Sequence, residues 1–153
     1  MKNLFDVTLV EETKLRIQHL RPESSREWGS MSVTQTLMHC TRSIEMAMGT
    51  IVPRRAPFPA LILGPLIKPL VMRDDRPMRR NSPSAPELFS ADSTEQAFEQ
   101  ERGRLIATLD SFVGQGAAGC TRGPHPFFGS LTPQEWSVLM YKHLDHHLRQ
   151  FGA

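Results

Sequence analysis

The chain lacks most of the features that would announce a specialised class of protein. Its two cysteines, Cys40 and Cys120, form no CxxC pair and are too few for a disulfide framework, so a reducing compartment is expected and both read as small buried hydrophobes. No uninterrupted apolar run approaches the ~20 residues that a membrane span needs, and the opening "MKNLFDVTLVEETKL" has no long apolar core of the signal-peptide kind. A cytoplasmic protein with no membrane partner is the expectation. Charge of one sign is missing too: 18 Lys and Arg against 16 Asp and Glu leave a formal +2, too little to imply nucleic acid as a partner. Strand signals are scarce, and there is neither an internal repeat nor a low-complexity segment.

What is present fits one globular domain over residues 1–153, long enough to bury a sizeable core. Four helical segments are predicted, each opening with a Ser or Thr three residues before Glu or Gln: Thr8 and Glu11, Ser32 and Gln35, Ser93 and Gln96, Thr132 and Glu135. Each pair can form a capping box, which satisfies two orphan backbone N–H groups reciprocally. Apolar stripes of helical period follow: Leu9, Thr13, Ile17 and Leu20; Val33, Leu37, Cys40, Ile44 and Met48; Phe98, Leu105, Leu109 and Phe112. At Thr132 the start is reinforced by Pro133, whose missing N–H costs nothing at the first helical position.

Between the second and third segments runs a connection from about Gly49 to Asp92 that holds eight of the twelve prolines. Within it "PALILGPLIKPLV" is apolar, but Pro59, Pro65 and Pro69 argue against a central strand or a long helix. A short helical or extended cover is expected there, lining a pocket, closing a bundle end or meeting a second subunit. So long a passage is explained if the second and third helices run parallel, since the chain must then return ~24 Å along a 16-residue helix. The basic run "RDDRPMRRNSP" reads as a solvated loop rather than an anion site.

Six histidines complete the inventory, three of them in "YKHLDHHLRQFG". On a wheel of about 100° per residue, Leu139, Met140, Leu144, Leu148 and Phe151 share an arc with Trp136, and Gln134, Glu135, Lys142, Asp145 and Arg149 lie opposite. His143 and His147 project into the apolar arc, whereas His146 falls at its polar border. Imidazoles are costly to bury without partners, and a pair at i and i+4 is a recurrent metal half-site, so either a divalent ion or hydrogen-bonding core neighbours must satisfy these two. A third ligand would come from His39, His125 or a carboxylate; His19, in a last helical turn, is explained by the helix dipole.

The stretches "WGSMSVTQTLMHC" and "HPFFGSLTPQEWSVLMYKHLDHHLRQFG" resemble the DinB-like superfamily, in particular a subgroup labelled only as a domain of unknown function. The resemblance covers the second and fourth helices and the loop before the latter. It implies an all-α four-helix bundle with a long Pro-rich crossover between helices 2 and 3. It also implies a metal site of His39, His143 and His147, with Gln150 three residues beyond the pair, holding a divalent ion such as Zn or Ni. The extra His146 departs from the family pattern and permits a shifted register, which the wheel disfavours.

Some members of the superfamily are similar in role to thiol transferases, in which the metal activates a low-molecular-weight thiol; others resemble metal-dependent hydrolases. The resemblance further implies a homodimer acting on a small-molecule substrate. Glu45, Asp145 and Tyr141 are visible as candidate bases, none with a convincing placement. A non-catalytic bundle binding metal or a hydrophobic partner is the other class left open.

Overall fold

The computed structural model describes residues 1–73, 75–80, 86–88 and 97–153. These form five α-helices and, among the described residues, no strand: α1 (Val7–His19), α2 (Val33–Ala47), α3 (Ala60–Met72), α4 (Phe98–Gln115) and α5 (Pro133–Arg149), with short 3₁₀ turns at Pro86–Leu88 and Gly116–Gly119. The chain is all-α as expected, with one helix more than the four read from the sequence.

Helix starts follow the capping chemistry closely where side chains can supply it. Ser32 with Gln35 and Thr132 with Glu135 form the two reciprocal boxes at α2 and α5, and Pro133 sits in the first turn of α5. At α1 the expected Thr8–Glu11 box is displaced, because Asp6 stands earlier and its carboxylate accepts from the Thr8 and Leu9 N–H groups. An ionised acceptor at a helix N-terminus is favoured by both the orphan donors and the dipole. The expected Ser93–Gln96 pair lies outside the described residues, and so do the end of the long connection and part of the basic run.

The stripes bury as read on α2 and α4, where Val33, Leu37, Cys40, Ile44, Phe98, Leu105, Leu109 and Phe112 enter one core with Trp136, Leu139, Met140, Leu144 and Leu148 of α5. On α1 the buried set is Val10, Thr13 and Ile17, with Leu9 only partly covered. Lys142 is an exception to the wheel: assigned to the polar side of α5, it is buried, and its Nζ donates to the Val71 carbonyl at 2.8 Å. The cause is α3, which lies across that side of α5.

Long-range pairs set the directions of the helices. Leu4 N–H to the Ser137 carbonyl and Arg16 with Asp145 make α1 and α5 parallel. Lys14 with Asp110, and Arg102 with the Gln18 and Leu20 carbonyls, make α4 antiparallel to α1. His39 against His143, with Gln150 reaching the Trp28 carbonyl, makes α2 antiparallel to α5. So α2 and α4 run the same way, and the Gly49–Asp92 connection is the return that such a pair requires.

Inside that return, α3 is 13 residues long despite Pro65 and Pro69, longer than the short cover expected. The two prolines are four apart, so the hydrogen bonds they remove fall on one strip of the helix and the rest of the ladder persists. Its inner side is held by a close approach: a Cβ at Gly64 would collide with the Phe127 carbonyl, so only glycine lets the backbone meet that loop. Lys68 adds bonds to the Ser130 carbonyl and Glu135. The outer side carries Leu61, Ile62, Leu63, Leu66 and Leu70, all exposed. No helix among the described residues is long and apolar enough to cross a membrane.

Candidate metal centre

Three imidazoles meet between α2 and α5. His39 comes from the middle of α2, and His143 and His147 from successive turns of α5; one ring nitrogen of each lies within 4.8 Å of the others. His39 and His147 are buried and His143 keeps part of its surface open. Antiparallel packing brings a residue 104 positions away in sequence to the i, i+4 pair, with His39 Nε2 and His143 Nε2 3.0 Å apart.

The outer nitrogens decide the tautomers. His39 Nδ1 stands 3.2 Å from the Leu88 carbonyl, an acceptor only, so Nδ1 carries the proton and donates. His147 Nδ1 likewise donates to Gln150 Oε1 at 2.9 Å, and the amide is oriented by its own Nε2 donating to the Trp28 carbonyl at 2.7 Å. Both rings therefore present an Nε2 lone pair to the centre. Fixing a histidine through its far N–H is how proteins orient and polarise metal ligands. The Leu88 tether could not be read from the sequence, because a backbone carbonyl leaves no residue-type signal.

Electrostatics agrees with neutral, lone-pair-bearing rings. Burial lowers His39 to about 4 against the opposing Leu88 bond, and burial with the neighbouring imidazoles lowers His147 to about 3. His143 is held well below its ordinary value by the same two causes, burial first. The charges that act on the three are those of other histidines. Near neutral pH the triad is thus a set of three uncharged nitrogen donors, suited to zinc, nickel and other late first-row ions. An ion ~2.1 Å from each ligand can span about 4.2 Å at most, so the widest pair would draw inward a little on binding.

The remaining sequence candidates lie elsewhere. His146 packs its ring on Trp28, 5.6 Å between centroids, so it belongs to the rim, as its border position on the wheel implied. His125 accepts the Phe127 and Phe128 N–H groups at Nδ1 and packs on Phe128 and Trp136. It organises the loop before α5, and burial lowers it to about 4. His19 is exposed at the end of α1. Of the candidate bases, Glu45 pairs with Arg104, Asp145 with Arg16 and Arg149, and Tyr141 faces Lys2. Cys40 is buried and its thiol is pushed up by desolvation, which leaves it a packing residue.

The described part of the basic run is largely exposed, as a solvated loop would be, with a specific contact at Arg80. Arg80 lies over the Trp28 ring, 4.0 Å from guanidinium to centroid, on an indole that also meets His146. Arg80 therefore borders the end of the helices where Gln150 and His147 are tied.

A family model described as a protein of unknown function, DUF1569, matches residues 2–153. No curated protein and no solved structure matches the chain.

Proposed function

The chain belongs to the DUF1569 family, whose description names no activity, so we propose a function from the site itself: a DinB-like bundle in which His39, His143 and His147 hold zinc or nickel for a metal-dependent transfer of a low-molecular-weight thiol. The observation that carries this is the convergence of three neutral imidazoles, two of which, His39 and His147, have their far nitrogens already engaged. A divalent ion on three protein ligands keeps a position open, and there it lowers the pKa of a bound thiol or water.

The chain's own groups favour the thiol over water. Hydrolysis of an ester or amide needs a base for the water and an acid for the leaving group. Glu45 and Asp145, the carboxylates singled out, are committed to arginines. Thiol transfer asks less of the protein: the sulfur bonds to an electrophilic carbon, the leaving group departs with its electron pair, and the thiol proton goes to solvent. His143, the least buried of the three and set between two tethered ligands, is where we place the approach of a small molecule. Zinc- or nickel-loaded protein is expected to consume a thiol such as cysteine together with an alkyl halide, forming the thioether, measured by loss of free thiol. Turnover of esters or amides without thiol would instead establish the hydrolase reading.

We further infer that a second copy of the chain covers α3. A helix as apolar as α3, whose one charged residue Lys68 is turned inward to Ser130 and Glu135, is normally covered on its outer side too. Phe58, Leu61, Ile62, Leu63, Leu66 and Leu70 are all exposed on and beside α3, a cluster of the kind that marks an interaction surface. Light scattering is expected to give a dimer for the wild type and a monomer for Leu66→Asp with Leu70→Asp. A monomeric wild type that adheres to anionic vesicles would assign the face to lipid instead, through the arginines at either end of α3.

A further inference from the structure

We propose that the ligand received at the triad is an anion, and that the Thr36 hydroxyl donates a hydrogen bond to it. This rests on the metal site proposed above and names the class of substrate that site would take.

Buried hydroxyls on these helices find partners in several ways: Thr13, Thr41 and Ser43 bond back to the carbonyls of Leu9, Leu37 and His39, and Ser137 bonds the Asn3 side chain. Thr36 does not. Its side chain is only 3% exposed and its Oγ1 is buried with no partner. A buried hydroxyl left unmatched weakens the fold, and such groups are few in native structures.

The position of Thr36 gives the gap a meaning. It precedes His39 by three residues, so the two side chains stand on one side of α2, a turn apart. Because α2 and α5 are antiparallel, with His39 opposite His143 and Trp28 joined to Gln150, Thr36 lies toward the level of His147. Trp28 Nε1 is a second buried donor without a partner, on a residue tied through Gln150 to His147, and Arg80 stacks on that same indole. This end of the site therefore offers unspent donors and a cation.

The ligand set points the same way. Three neutral imidazoles leave both charges of a divalent ion uncompensated in a buried setting, which is unfavourable until an anion joins them. A thiolate or carboxylate on a small molecule would balance the ion and accept the Thr36 hydroxyl proton in one placement.

Cobalt-loaded wild type, Thr36→Val and Thr36→Ser, titrated with azide and with neutral imidazole and followed by cobalt absorption, test this. Thr36→Val is expected to keep its cobalt and its imidazole affinity but to bind azide about fivefold to tenfold more weakly, and Thr36→Ser to restore azide binding. Metal-free Thr36→Val is expected to melt ~2–4 °C above wild type, because valine fills the same volume without an unmatched hydroxyl. Unchanged azide affinity on loaded protein, or a lower melting temperature of Thr36→Val, overturns the role of Thr36. A wild type that takes up no cobalt overturns the metal site itself and this inference with it.

Discussion

Replacing His143 and His147 together with alanine is expected to take the purified protein from about one divalent ion per chain to almost none, read by elemental analysis after reconstitution with zinc or nickel. The size of the effect follows from ligand number. Loss of an outer partner of a metal ligand typically costs 10–100-fold in affinity, and losing two of three ligands themselves costs about a hundredfold or more. One imidazole on α2 then has nothing to share the ion with. His146→Ala is the internal control, since that ring packs on Trp28 at the rim, and metal content should stay near one equivalent. Equal loss from single substitutions at 143, 146 and 147 would show that the register is wrong, and a metal-free wild type would sink the site altogether.

The second large effect is acid instability of the metal-free protein. His39, His125 and His147 are lowered by burial to about 4, about 4 and about 3, while in the unfolded chain each titrates near 6.5. Below pH 6.5 the unfolded state therefore binds more protons than the folded one, and stability falls as pH falls until the folded values are reached. Each such group contributes ~1.4 kcal/mol per pH unit within that window. Three of them remove on the order of 5 kcal/mol between pH 6.5 and 4.5, comparable to the whole stability of many domains. Urea midpoints measured across that range should drop steeply without metal. The loaded protein should hold its midpoint to lower pH, because an ion that binds only the folded state competes with the protons. A midpoint unchanged from pH 7 to 4.5 without metal would mean that these rings are not buried neutral.

Both effects concern side chains whose types were visible in the sequence, yet their arrangement was legible only in part. Local rules worked where the cause was local. Ser32, Gln35, Thr132, Glu135 and Pro133 start their helices because capping acts over three residues, and Leu144, Leu148 and Phe151 mark the inward face of α5 because the helical period repeats over a few turns. The division of the three clustered histidines into an inward pair and a rim residue came from the same periodicity. Where a second local signal competed, as Asp6 does with Thr8, the stronger acceptor took the cap.

By itself the sequence determined an all-helical chain, the placement of most of its core stripes, and the pairing of His143 with His147. Tertiary structure decided which histidine joins them, because His39 and His125 carry the same imidazole and only the antiparallel packing of α2 on α5 brings one of them within reach. It also decided the tautomers, through a backbone carbonyl at Leu88 that no residue type encodes. The extra helix α3 belongs to the same category. Its prolines weigh against a helix in any local account, and packing of Gly64 on Phe127 together with the Lys68 and Lys142 bonds holds it in place regardless. Local interactions are written in neighbouring residues, while contacts between distant segments exist only once the chain has closed on itself.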